Sequence, residues 1–129
     1  MPEEASAPVP AGLLLSDDLM FASRITGTAR SLGHHLQVVR TPQQVQDLAA
    51  SQKPTCVLLD LAVAGADGPA LIGRLKNTLG YVPFLVAYGS HVDVATLQAA
   101  RQAGCDVVLP RSKFVEELRQ SLANWLTGS

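Results

Sequence analysis

The sequence predicts a doubly wound α/β domain built on a five-stranded parallel sheet with five helices, and three observations carry that prediction. Short apolar runs alternate, about five times, with segments whose apolar residues recur at helical spacing, the pattern that places helices on both faces of a parallel sheet. The run Thr55-Cys56-Val57-Leu58-Leu59, set off by Pro54, is unbroken, as a central strand covered on both sides must be. A chain of 129 residues, 47% hydrophobic and 16% charged, can fill one core but not two.

The elements follow in order. Residues 1–10 contain three prolines, a Glu pair and no apolar periodicity, and are predicted to be a disordered lead-in, with the domain over residues 11–127. Gly12 to Ser16 reads as the first strand and ends in Asp17-Asp18. From Leu19 to Leu32, Phe21, Ile25, Ala29 and Leu32 recur at helical spacing, and Gly33 closes the helix. His35 to Val39 alternates as a second strand. Thr41, Pro42 and Gln44 form a helix start, with Thr41 as cap, proline at the first helical position and Gln44 completing a capping box. That helix runs to about Ser51, and Pro54 forbids its extension. After the central strand, 61–68 is a small-residue loop, and Leu71, Ile72, Leu75 and Leu79 mark the third helix. Val82 to Tyr88 is the fourth strand, followed by a Gly89-Ser90-His91 loop. Asp93 caps a helix with Val94, Leu97 and Ala100 on one face, ended by Gly104. Asp106 to Pro110 is the last strand, and Ser112 is placed to cap a final helix striped by Phe114, Leu118, Leu122 and Trp125.

Composition narrows the function. A net charge of −1 without clustered Lys or Arg is no footprint for nucleic acid. No apolar run of membrane-spanning length or cleavable leader is visible, so a soluble, cytoplasmic protein is expected. Cys56 and Cys105 lack metal-ligand spacing and read as reduced core thiols.

Chemistry gathers at one sheet edge. Asp60 ends a buried strand at its carboxyl end, where open parallel sheets bind ligands, although a lone Asp there also suits a turn or a helix cap. In a doubly wound sheet the first and third strands flank the switch point, which brings Asp17 and Asp18 toward Asp60. Three carboxylates so placed repel one another unless a cation offsets them, and an all-oxygen set of this kind suits Mg²⁺.

These residues, Leu13-Leu14-Leu15-Ser16-Asp17-Asp18, Val57-Leu58-Leu59-Asp60, Gly68, Pro83-Phe84-Leu85-Val86 and Ala103-Gly104-Cys105-Asp106, resemble the receiver domain of two-component response regulators over Gly12 to Leu126. The resemblance implies a flavodoxin-like, receiver-type fold with Asp60 as phosphoacceptor. It makes Asp17, Asp18, Asp60 and the backbone carbonyl of Ala62 the ligands of Mg²⁺, and a histidine kinase or phosphotransfer protein the donor.

The chain departs from the family pattern where the switch should be. The Ser or Thr that ends the fourth strand is replaced by Tyr88, followed by Gly89, with Ser90 the nearest small hydroxyl. The family's Lys becomes Arg111, with Ser112 in place of the following proline. The fork of an arginine can grip phosphate bidentately, but it is no ammonium. Lys113 is the other basic candidate, and Val108 stands where the switch aromatic is expected.

The resulting expectation is an atypical stand-alone receiver, not an enzyme, that signals to a separate downstream protein as a monomer or weak homodimer. One alternative is a pseudo-receiver that acts as a phosphorylation-independent interaction module. Another is a small Mg²⁺-dependent phosphohydrolase, against which stand the missing second acid after Asp60 and the missing cap. His34-His35 and His91 read as surface turn and loop residues.

Overall fold

The computed structural model describes residues 11–128, and the predicted lead-in over residues 1–10 lies outside them. Five parallel strands, β1 (Gly12–Leu15), β2 (Leu36–Val39), β3 (Cys56–Asp60), β4 (Phe84–Gly89) and β5 (Val107–Pro110), form one sheet in the order β2-β1-β3-β4-β5. Five helices connect and follow them: α1 (Leu19–Ser31), α2 (Pro42–Gln52), α3 (Gly68–Asn77), α4 (Val94–Ala103) and α5 (Arg111–Leu126).

The sheet divides the core in two. On one side α2, α3 and α4 bring Val45, Leu71, Ile72, Leu75 and Leu97 against Leu13, Leu15, Val57, Leu59 and Leu85. On the other, α1 and α5 bring Phe21, Ile25, Phe114, Leu118 and Trp125 against Leu14, Leu58, Val86 and Tyr88. The two sets alternate along each central strand because successive side chains point to opposite faces. With both faces covered, Cys56 to Leu59 are wholly shielded from solvent.

Local signals explain the helix boundaries. The Thr41 hydroxyl accepts from the Gln44 amide at 3.2 Å while Gln44 Oε1 accepts from the Thr41 amide, a reciprocal capping box with Pro42 at the first helical position. Gly104 ends α4 at φ 110°, a conformation that a side chain disfavours.

Three expectations are corrected. The segment after β3 is not an open loop: Leu61–Ala64 makes one α-helical turn and Gly65–Asp67 a 3₁₀ turn, both continuing into α3. Ser112 does not cap α5, which begins one residue earlier at Arg111, because extended Pro110 (φ −60°, ψ 150°) already ends the strand and leaves the next residue free to turn. Val94 is exposed on the first turn of α4, and only Leu97 and Ala100 of its predicted face are buried.

Candidate functional site

The strand order reverses between β1 and β3, so the crevice at their carboxyl ends is where the topology leaves room for a ligand. Asp60 stands at that point as the last residue of β3. It is 5% exposed, and with Ser16 it makes up the buried polar side chains recorded among the described residues, apart from the Tyr88 hydroxyl. Burial raises the pKa of its carboxyl group, an effect opposed by the Ala62 amide and the Arg111 charge and reinforced by the charge of Asp17. A carboxylate so poorly hydrated gains more than an exposed one from a cation or a covalent partner.

Asp60 also caps the helical turn that follows it. Its Oδ1 accepts from the Ala62 amide at 3.0 Å. The capping reading of this residue and the site reading therefore describe the same carboxylate. A helical turn directs amides toward its start and carbonyls away from it, so Ala62 presents its N–H to Asp60 while its carbonyl points along the turn.

Asp18 is similarly occupied. It is the N-cap of α1: Oδ1 accepts from the Phe21 amide at 3.0 Å and Oδ2 from Arg111 Nη2 at 3.0 Å. The Phe21 amide foremost, then Arg111, holds its pKa below the usual carboxylate value. Asp17 is exposed beside it. The Ser16 hydroxyl accepts from the Asp18 amide at 3.2 Å and so fixes the acidic turn.

These donors have the oxygen chemistry of a Mg²⁺ site but not its arrangement. Among the described residues no group of three or more Asp, Glu, His or Cys side chains is close enough to hold a metal. One of the expected ligands, Asp18, is engaged elsewhere, with Arg111. In this conformation the residues do not fit a divalent cation.

The switch positions are close in space but differently built. Tyr88 is the register partner of Asp60 on β4, and its ring packs in the core between α1 and α5. Its ring stacks on Phe114 at 4.4 Å and meets Phe21 edge-on at 5.4 Å. Its hydroxyl is buried, close enough to Ser16 to feel that side chain, yet without a hydrogen-bond partner. Burial foremost, then the charge of Asp60, pushes the Tyr88 phenol pKa up. Gly89 ends β4, and a Cβ there would lie 3.5 Å from the Leu61 and Leu97 side chains.

Arg111, Ser90 and His91 line a cleft of about 520 Å³ together with Asp60, Ala62 and Tyr88. The Arg111 guanidinium lies 3.9 Å over the Phe21 ring. Lys113 is directed away, toward Glu116 and Glu117, both at 3.7 Å. Sequence reasoning did not single out Ser16, Phe21 or Phe114 for the site. The one signal available for Ser16 was its parity with Leu14, which puts both on the face of the sheet that Asp60 shares.

A parallel sheet ordered 2-1-3-4-5 with a desolvated aspartate at its switch point defines a receiver-type domain. No protein-family model matches the chain. Among characterised proteins it is similar to the response regulator MprA of Mycolicibacterium vanbaalenii, at 27% identity over 106 residues, or 82% of this chain and 46% of that one. The MprA of a Mycobacterium species (strain KMS) is 26% identical over the same length. The chain thus spans about half the length of these relatives. Among solved structures it superposes on the receiver domain of NtrX from Brucella abortus with a TM-score of 0.76 at 20% identity, covering 92% of this chain and 99% of that one. A response-regulator signal receiver domain from Bermanella marisrubri gives a TM-score of 0.77 at 22% identity, with 89% and 96% covered. The chain thus has the receiver-type fold and is similar in sequence to response regulators.

Proposed function

We propose that this receiver accepts a phosphoryl group on Asp60 from a phosphohistidine donor, a histidine kinase or phosphotransfer protein, and passes the signal to a separate downstream protein. The observation that carries this reading is the desolvated Asp60 carboxylate at the switch point, bordering a cleft that it shares with Arg111. The Ala62 amide holds Oδ1, which fixes the orientation of the carboxylate and leaves Oδ2 to attack phosphorus. An Asp60 O–P bond forms as the donor's N–P bond breaks, and the leaving imidazole keeps the electron pair and takes a proton. Arg111 is the cleft-lining cation that can meet the negative oxygens of the transferred group. Mg²⁺ is the cofactor that the family resemblance implies.

A second reading, a phosphorylation-independent interaction module, is favoured by Tyr88. Its hydroxyl sits in the core, so the usual fourth-strand contact with a phosphoryl group is not available from that residue. Incubation with acetyl phosphate, with and without Mg²⁺, followed by intact-mass measurement decides between the two. Wild type should gain the mass of one phosphoryl group and Asp60→Ala none. An unmodified wild type, or an Asp60→Ala variant modified to the same extent, refutes phosphorylation at Asp60.

A further inference from the structure

Arg111 is held at two points, and one helix provides both. Asp18, the N-cap of α1, accepts from its Nη2 at 3.0 Å, and Phe21 in the first turn of α1 carries its guanidinium at 3.9 Å from the ring centre. A guanidinium over an aromatic face is attracted to the negative face of the ring, so Phe21 adds to what the carboxylate supplies. Both Asp18 oxygens already accept a hydrogen bond, Oδ1 from the Phe21 amide and Oδ2 from Arg111. A divalent cation coming to Oδ2 meets a fixed positive charge. Meanwhile Asp17 and Asp60 remain a carboxylate pair whose like charges act on each other.

We propose that Arg111 is a tethered cation standing in the metal's place at the acidic edge, so that a divalent metal and the guanidinium exclude one another at Asp18. Held by the Asp18 carboxylate and the Phe21 ring, Arg111 supplies at this edge the positive charge that a metal would otherwise supply. The proposal rests on the reading of the Asp60 edge as a phosphoacceptor site. It predicts that removing the positive charge of Arg111 improves binding of a cation.

The test is Mn²⁺ titration of the whole chain, with free Mn²⁺ read by electron paramagnetic resonance, for wild type, Arg111→Gln and Lys113→Gln. Arg111→Gln should bind Mn²⁺ at least about threefold more tightly, the scale of an exposed ion pair together with a cation–π contact. Lys113→Gln removes the same charge from the same helix without touching Asp18, and should leave Mn²⁺ affinity unchanged. Equal or weaker Mn²⁺ affinity in Arg111→Gln, or no uptake by either protein, overturns the proposal. Equal gains in both variants reduce the effect to general charge and overturn it too. An Asp60 that takes no phosphoryl group refutes the phosphoacceptor reading instead, and leaves the Mn²⁺ comparison to decide the role of Arg111.

Discussion

Tyr88→Phe should make this protein more stable. The substitution removes one oxygen and keeps the ring, so the stack on Phe114 at 4.4 Å and the edge contact with Phe21 at 5.4 Å remain. What is lost is a hydroxyl that is fully buried and has no hydrogen-bond partner, while the neighbouring Ser16 hydroxyl is already engaged with the Asp18 backbone. A buried, unsatisfied polar group costs roughly 1–3 kcal/mol relative to water, so the variant should gain about 1 kcal/mol at the low end of that range. With a typical urea dependence of about 2 kcal/mol per molar, the midpoint should rise by about 0.5 M. For a domain of this size the melting temperature should rise by roughly 3–6 °C. Urea unfolding followed by far-ultraviolet circular dichroism measures the shift, and an unchanged slope shows that only stability has moved. A midpoint lowered by a comparable amount would refute the reasoning, because it would mean that Tyr88 donates a hydrogen bond, to Ser16 or Asp60, worth more than its desolvation.

Two further outcomes follow from the same geometry. Gly104→Ala should destabilise the domain by about 1–2 kcal/mol, since φ 110° is strained for a side chain and the new Cβ would lie 2.8 Å from Lys76 Cδ; urea unfolding at fixed slope reads it. Amide chemical shifts recorded with Mg²⁺ and beryllofluoride should change more beside Asp60 than over Gly89 to Asp93, and comparable changes across α4 and α5 would reveal a coupling that the packing of Tyr88 does not suggest.

The sheet was legible because its signals are local. Unbroken apolar runs mark buried parallel strands, and the Thr41-Pro42-Gln44 start and the Gly104 stop are written in side-chain chemistry within a few residues. The turn after Asp60 was not legible. Leu61-Ala62-Val63-Ala64-Gly65 is too short and uniformly apolar to show a helical period, and it is helical because Asp60 caps it and Leu61 and Ala64 pack into the core. The positions of Asp17, Asp18 and Asp60 at one edge follow from topology, but the commitment of Asp18 to Arg111 does not. Those two residues are 93 positions apart, and nothing in the sequence around either states that the pair forms. Asp106 shows the same limit, since its carboxylate reaches across to the Leu85 amide at 2.8 Å and ties the start of β5 to β4.

The distribution of buried polarity bears on how such a site signals. Ser16, Asp60 and the Tyr88 hydroxyl lie at the carboxyl ends of three adjacent strands: Asp60 pairs with Tyr88 in register, and Leu14 pairs with Leu58, which puts Ser16 beside Asp60 on the same face. Apolar side chains fill the rest of the core, so the fold concentrates its polar burial in one row at its ligand edge, where departures from good packing accompany function. Within that row the aromatic ring and the hydroxyl, which a receiver ordinarily carries on separate strands, belong to one residue. Tyr88 cannot draw its hydroxyl outward without withdrawing its ring from Phe114, and Phe114 in turn stacks on Trp125 at 5.6 Å. A relay that moves a light side chain and lets an aromatic follow is thereby replaced by a ring already seated in the core. Since a ligand shifts an equilibrium only by its difference in affinity for the two states, the cost of unstacking Tyr88 opposes transmission through β4. The cation that lines the cleft is Arg111, which touches Asp18 and Phe21 on α1, so under the proposed function a signal routed through it would reach the face formed by α1 and the start of α5.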